Sequence, residues 1–464
     1  MKEKEFPIKI GLEVHGYLDT AEKLFCMCRT GKDHDEKEDL PNSRICPICT
    51  GQPGSKPMSP NGSAVKKLVE IALVLGSKVH QGDLIWQRKH YSWADLPKGY
   101  QSTISGSHVV PCAVGGNFKG INITEAHLEE DPAQWNPQTG KVNYNRSGLS
   151  LIEIVTEPEF SKGDEVISWL KALILSLSYI KALRRNAGIK VDVNVSTYGE
   201  RVEMKNLNSL EKIRKAIEYE ILRQLENHDK GIIQQRETLT YDESLGKTVK
   251  MREKEGASDY RFITDPDLPV FKIDKSLINQ VKKNFPEMPE EKLDKLLKKF
   301  NVDNKNAEIL TKNLELVEFF EGLAGFGIDM GENMSWVTIE LLRVLNYNKK
   351  TLADADVEII PIHLAELIKL VESGKITVLK GKQIMNDFVP KSFSIKEKDD
   401  VEKISKDAVL NLCRQVIEDN FHVVEDYKSG KTASLNYLIG QVMNLSERRA
   451  DFKVASECLK KIIG

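Results

Sequence analysis

The sequence predicts an α+β protein in which a sheet-bearing front part is followed by helices, and three observations carry that prediction. Apolar and polar residues alternate in IKIGLEVHGY (Ile8–Tyr17), INITEAHLEED (Ile121–Asp131) and IKVDVNVS (Ile189–Ser196), the period of strands with one buried face. Prolines 266, 269, 286 and 289 then punctuate the chain. Beyond them EEKLDKLLKKF, AEILTKNLELVEFFEGL, HLAELIKLVESG and SLNYLIGQVMNL repeat apolar residues at spacings of three and four, the period of helices.

A chain of 464 residues exceeds one ordinary core and suggests two to three domains. Hydrophobic residues at 40% and charged residues at 29% describe a soluble globular protein. No run of eighteen apolar residues occurs, and MKEKEFPIKI lacks the apolar core of a signal peptide, so no membrane association and a cytoplasmic location are expected. A net charge of -2 excludes a global basic field; a nucleic-acid partner must be held by local patches or shape. Seven cysteines, an odd number, argue against a disulfide framework. Four form two short pairs, Cys26-Met-Cys28 and Cys46-Pro-Ile-Cys49, an arrangement that offers four thiolates to one tetrahedral zinc. A structural role is expected, because four thiolates leave no open coordination position. Cys112, Cys413 and Cys458 are isolated and assigned to packing.

In the first strand, Ile8, Ile10, Leu12 and Val14 point one way and Lys9, Gly11, Glu13 and His15 the other, so Glu13 and His15 project together. Ser63 is placed to cap a helix running through Val65, Leu68, Val69, Ala72 and Leu75 until Gly76 stops it. The stretch Trp86 to Thr103 is dense in aromatic and cationic groups; it suits either a folded surface loop or a segment that stacks a base and neutralises phosphates through Arg88, Lys89 and Lys98. In Ile121–Asp131, His127 precedes the adjacent acids Glu129, Glu130 and Asp131, which repel one another unless a cation or solvent intervenes. Glu153 interrupts the apolar run Leu151, Ile152, Ile154, Val155, where an unpaired carboxylate is costly to bury. A magnesium ion held by a few carboxylates would account for Glu13, Glu130 and Glu153 together. His15 is a softer ligand than magnesium usually takes.

From Asp164 a helical pattern continues through Val166, Ile167, Leu170 and Leu173 to Ile180. Two strands, Ile189–Ser196 and the Val202–Lys205 region, turn at Tyr198 and Gly199 to make a sheet with one apolar and one polar face. Asn208 and Glu211 resemble a capping box for the next helix, whose N-terminus would receive a phosphate beside Lys205. Arg252, Lys254 and Arg261 share a loop-like stretch with acids, and Pro390–Lys391 marks a linker to a terminal helical unit. Gly322, Gly325 and Gly327 follow no strand and are read as an interhelical turn; no G-x-x-x-x-G-K-[ST] occurs, which excludes the P-loop route to ATP.

The stretches IGLEVHGYL, LPKGYQ, HLEEDP, NRSGLSLIEIVTEP, VDVNVS, KNLNS and DYRF followed by DPDLP, taken in order, resemble the B-subunit family of the aspartyl/glutamyl-tRNA amidotransferases over the full length. The paired cysteines resemble that family's zinc-bearing branch. A related archaeal E subunit shares the front portion but carries a large inserted domain for which this chain has no room. The resemblance implies an antiparallel-sheet cradle over residues 1–290, a helical domain over 291–395 and a tRNA-binding helical tail over 396–464.

It also implies chemistry. ATP phosphorylates the side-chain carboxylate of Asp or Glu mischarged on tRNA, and ammonia made by a separate amidase, the A subunit, displaces phosphate; the C subunit makes the assembly a heterotrimer. The family motif places magnesium or phosphate handling at His15, Glu130 and Glu153, with Glu13 beside them as a catalytic residue. Arg88, Lys205, Arg252 and Arg261 become the candidates to contact the nucleotide. The sequence departs from the family at Ser150, at Ser92-Trp93-Ala94, at Pro132-Ala133-Gln134 and at Ile263-Thr264-Asp265. The rival class is a non-catalytic zinc-containing tRNA-binding protein; carboxylates on three apolar segments argue against it, because phosphate binding wants cations.

Overall fold

The computed structural model describes the chain except for residues 1–6, 32–39, 92, 107–108, 186–187, 252–259 and 398–400. It divides into two compact units, Met1–Met288 and Pro289–Gly464.

The first unit is built on a 13-stranded sheet whose main path runs Lys247–Lys250, Glu237–Asp242, Val202–Leu207, Ile189–Ser196, Lys9–Tyr17, Ser150–Thr156, Ile121–Glu130, Tyr100–Thr103, Gln87–His90 and Arg261–Thr264. Neighbours on this path are antiparallel except Val202–Leu207 with Glu237–Asp242. The sheet is therefore mixed rather than wholly antiparallel. Between those two strands the chain passes through the Leu210–Asp229 helix, and such a crossover returns it to the sheet edge in the same direction, which a hairpin turn does not.

Strand alternation sorts the side chains by polarity. Ile10, Leu12 and Val14, with Ala126, Leu128, Ile152, Ile154, Val191, Val193 and Val195, are buried in one core with residues of the Gly62–Val74, Gly163–Tyr179 and Leu210–Asp229 helices. Gly16 permits the close approach of Leu183, whose Cδ2 lies 2.8 Å from where a Cβ would stand. Trp86 belongs to this core as well, edge-on to Phe25 and stacked on Phe271, so the aromatic loop is a folded element at that end.

Two caps fall one or two residues from their expected places. Asn61, not Ser63, accepts from the first amides of its helix, at 2.9 and 3.4 Å. Ser209, not Asn208, caps the Leu210–Asp229 helix through Lys212 N, while Glu211 turns to Arg214. A cap must adopt extended dihedrals with its oxygen over the N2 or N3 amide, and Ser209 does so.

In the second unit, helices from Pro289–Lys299 to Phe452–Ile463 bury two apolar clusters, one running from Leu296 to Val401 and one from Val409 to Ile463. The Leu314–Ala324 helix ends in a turn where Gly327 takes φ +74°. Among the described residues no helix is long and apolar enough to cross a membrane.

Candidate active site

The sheet face opposite the core is polar, and strand register decides which of its groups meet. His15 stands on a central strand directly opposite Glu153 on one side and Lys190 on the other, and Glu153 stands opposite His127. Opposed residues share a face, with Cβ atoms about 4.5–5.5 Å apart, so Lys190, His15, Glu153 and His127 make a row across four strands.

Within this row a charge network forms around Glu153. His15 Nε2 and His127 Nε2 lie 3.4 and 3.3 Å from the same Glu153 oxygen, and His127 Nδ1 lies 3.0 Å from Glu125. Burial alone would depress the His15 pKa, yet the Glu153 charge and hydrogen bond carry it up to about 9. Burial likewise opposes protonation of His127, but Glu153, Glu125 and Glu129 hold it well above the ordinary histidine range. Glu153 shows the converse: burial works to raise its pKa, and the two imidazoliums drive it well below the usual carboxylate value. Glu129 is lowered too, against burial, first by the Lys89 ammonium at 3.8 Å.

Ligand atoms of His15, Glu129 and Glu153 all lie within 4.8 Å of one another. Of the expected trio, the structure thus brings His15 and Glu153 together and adds Glu129, whereas Glu130 is engaged elsewhere. Its carboxylate accepts from Ser102 N and Oγ at 3.1 and 2.9 Å and pairs with Lys98. Glu129 and Glu130 are adjacent on one strand and so project to opposite faces. Glu13 joins a neighbouring group with Asp192 and Glu203, accepting from Asn194 at 3.1 Å. Burial, followed by repulsion from Glu153, raises the Glu13 pKa.

A cavity of about 430 Å³ opens on this face. Its walls include His15 and Glu129, the rings of Tyr91, Trp93 and Tyr260, and the cations Lys89, Lys190, Lys205 and Arg146. Tyr91 packs edge-on against Tyr260, and Trp93 edge-on against Trp135. The expected nucleotide contacts are scattered. Lys205 lines the cavity but is held by Glu203 at 2.9 Å and Asp192 at 3.4 Å. Arg88 is bound to Asp265 and Asp267 at 2.9 and 2.7 Å and lies over the Tyr100 ring. Arg261 is exposed on the last strand of the path, and Arg252, like Lys254 and Ser92, lies outside the described residues. Sequence reasoning offers Lys89 as a loop cation and notes His127 before the acids, but it does not join them to His15 and Glu153, and it does not single out Lys190 or Arg146. The signal that places them is strand pairing, which needs the partner strand as well as the strand itself.

The four paired cysteines form a separate cluster, their sulfurs within 4.8 Å of one another. A hydrogen bond from Cys26, with one from the Cys46 amide at 3.2 Å, brings Cys49 down to about 4, while burial pushes Cys28 up to about 11. Four thiols this close cannot all ionise unless a cation sits among them, and an all-sulfur set suits zinc. The donors thus fit that metal. Just after this loop, Gly51 takes φ +65°, and a Cβ there would meet the Pro97 carbonyl oxygen at 2.4 Å. Ser147 Oγ donates to Cys49 O at 2.7 Å. The cysteine loop therefore bears on the segment that supplies Lys98.

Residues 8–279 match the family model described as the GatB/GatE catalytic domain, and residues 318–463 match the GatB domain. Curated relatives named as the B subunit of aspartyl/glutamyl-tRNA(Asn/Gln) amidotransferase include one from Methanopyrus kandleri, 41% identical, with 98% of each chain covered. Others are from Methanocaldococcus jannaschii, 38% identical with 99% of this chain and 98% of the relative covered, and Methanosphaera stadtmanae, 38% identical with 97% and 98% covered. With both family models matched in order and full-length relatives near 40% identity, the chain belongs to the GatB/GatE family of amidotransferase subunits.

Proposed function

We propose that this chain is the B subunit of a cytoplasmic, ATP-dependent amidotransferase that converts Asp or Glu esterified to tRNA into the corresponding amide. The single observation that supports this best is that His15 and Glu129, grouped with Glu153 within 4.8 Å, line a cavity that also carries cations and aromatic rings, while His127 is buried opposite Glu153. Acids alone would suit a cation site and cations alone a phosphate site; side by side they suit transfer of a phosphoryl group carried on a metal.

Glu129 and Glu153 would hold magnesium, which when bound neutralises charge on the transferring phosphoryl group. His15 and His127 orient Glu153 by contacting one of its oxygens, and Glu13 adds negative charge beside them. In the first step an oxygen of the substrate side-chain carboxylate attacks the γ-phosphorus of ATP; the new P–O bond forms as the bond to the bridging oxygen breaks and ADP leaves. Ammonia then attacks the activated carbonyl carbon, the C–O bond to phosphate breaks, phosphate leaves with the electron pair, and the nitrogen sheds a proton. The part of the protein here is to shield the activated carboxyl from water and hold the acceptor in line.

No glutaminase nucleophile is apparent in the sequence, so ammonia is assigned to a partner amidase, the A subunit, with the C subunit as a further partner. Cys26, Cys28, Cys46 and Cys49 would hold a structural zinc that stiffens the loop behind Lys98. Residues 1–290 form the catalytic part, 291–395 a helical connector, and 396–464 a tail that grips the tRNA body.

The test is ADP release dependent on Asp-tRNA or Glu-tRNA by the reconstituted complex, with ammonium in place of glutamine. Glu153→Gln keeps the shape but removes the charge, and the rate should fall on the order of a hundredfold or more. A near-normal rate from a folded variant would make this carboxylate structural and misplace the site.

A further inference from the structure

The cations around the cavity are not equivalent. Lys89 stands 3.8 Å from Glu129, Lys205 is held by Glu203 and Asp192, and Arg146 pairs with Asp131 at 2.9 Å while also donating to the carbonyls of Pro132 and Ala133. Each already faces a carboxylate. Lys190 differs: its ammonium has a hydrogen bond to the neutral Tyr17 hydroxyl at 3.3 Å and lies 5.5 Å from the centre of that ring. Among the described residues no carboxylate lies within 4.0 Å of it, although Asp131 and Asp95 feel its charge at longer range. It is half-buried and lines the cavity.

A lysine so placed has donors left over and no internal counter-charge at contact distance, the condition in which an incoming oxyanion gains most from a charge-assisted bond. Its position narrows which oxyanion. Lys190 stands directly opposite His15, one strand from the Glu153 side of the network. If the nucleotide phosphates lie on the Glu129–Glu153 pair, the acceptor oxygen must sit roughly 3–3.5 Å from the reacting phosphorus. Lys190 flanks that pair across the His15 strand, on the same sheet face.

We infer that Lys190 is a substrate-binding residue that receives the side-chain carboxylate of the aminoacyl group. Tyr17 steadies its ammonium, and Asp131 in turn accepts from the Tyr17 hydroxyl at 2.9 Å. The inference rests on the function proposed above. It goes further by assigning the acceptor carboxylate to a cation distinct from the expected nucleotide contacts.

The experiment compares wild type, Lys190→Met and Lys190→Arg in the reconstituted complex with ammonium as nitrogen donor. Lys190→Met should raise KM for the mischarged aminoacyl-tRNA about tenfold or more, leave KM for ATP within about twofold, and leave affinity for uncharged tRNA unchanged. Lys190→Arg should recover part of the loss. A raised ATP KM with an unchanged aminoacyl-tRNA KM would make Lys190 a phosphate ligand and overturn the inference, as would no change in either constant. Equal losses for charged and uncharged tRNA would also overturn it. Thermal unfolding checks that the fold survives, and Lys190→Gln replaces the methionine variant if that one does not fold. If wild type itself releases no ADP on adding mischarged tRNA, the proposed function fails; if wild type works and Lys190→Met keeps its constants, only the inference fails.

Discussion

Two of the candidate metal-binding clusters of the first unit, the cysteines and the group around Glu153, are built by opposite means. The cysteines come from two short loops, each supplying a pair within four residues of sequence, and their sulfurs meet within 4.8 Å. The His15, Glu129 and Glu153 group meets the same distance limit, but its members come from three different strands and are brought together by register alone. One cluster is a local device anchored to the fold, and the other is a product of the whole sheet. Shifting one strand by a residue would leave the cysteines where they are and turn His15 or Glu153 into the core.

The two faces of the Ile121–Glu130 strand are told apart by its two adjacent acids. Glu129 lies on the cavity face with the histidines, and Glu130 is committed to Lys98 and Ser102 on the other. Glu129→Gln should therefore lower ATP-dependent ADP release on the order of a hundredfold, with little change in melting temperature. Glu130→Gln should act mainly on stability, since it leaves Lys98 without its carboxylate. Kinetics and thermal unfolding of both variants decide the matter; if Glu130→Gln abolished turnover and Glu129→Gln did not, the register-based assignment would be reversed.

How far the sequence reveals this site follows from the same contrast. Cysteine spacing is a property of one short segment, so the four-sulfur cluster is readable without knowing the fold. The polar row is only half readable. Alternation shows that Glu13 and His15 share a face and that Glu153 breaks an apolar run, but it does not say which strand lies beside which. In HLEED the adjacent acids are equivalent until pairing of Glu153 with His127 places the odd-numbered residues of that strand on the cavity side. Lys190 is legible as part of a polar strand face, yet its importance depends on being opposite His15. The parallel pairing of Val202–Leu207 with Glu237–Asp242 is hidden for a similar reason, since alternation carries no information on strand direction.

The cysteine cluster stands apart from the polar row, so losing it should cost stability more than rate. Cys46→Ser should lose the metal, measured by elemental analysis of freshly purified protein, and lower the melting temperature by several degrees. Because the loop touches the Pro97–Lys98 segment through Gly51, some rate should be lost as well, but far less than with Glu129→Gln. Absence of zinc from the wild-type protein would remove the metal from the account.

The smallest effect concerns a region that shares neither cluster. Residues 409–463 bury their own apolar core, so their removal should leave the sheet and its polar row intact. Within the second unit the tail is tied to the preceding helices through Thr377 Oγ1 to Arg448 O at 2.5 Å and Lys380 to Glu447 at 3.3 Å, contacts outside its apolar core. Its exposed residues include Phe421, Tyr437 and Phe452 and the basic Lys453, Lys460 and Lys461, while Lys428 and Lys431 pair with Glu425 and Asp426; cations and flat rings together suit RNA. Deleting residues 400–464 should weaken tRNA affinity by about tenfold at moderate salt, with a shallower salt dependence, while glutamine hydrolysis by the partner amidase continues. The measurement is tRNA binding by the truncated complex over a salt series. An unchanged affinity and slope would move tRNA recognition out of the tail and onto the sheet-bearing unit, making the cavity rim with Tyr91 and Trp93 the main contact.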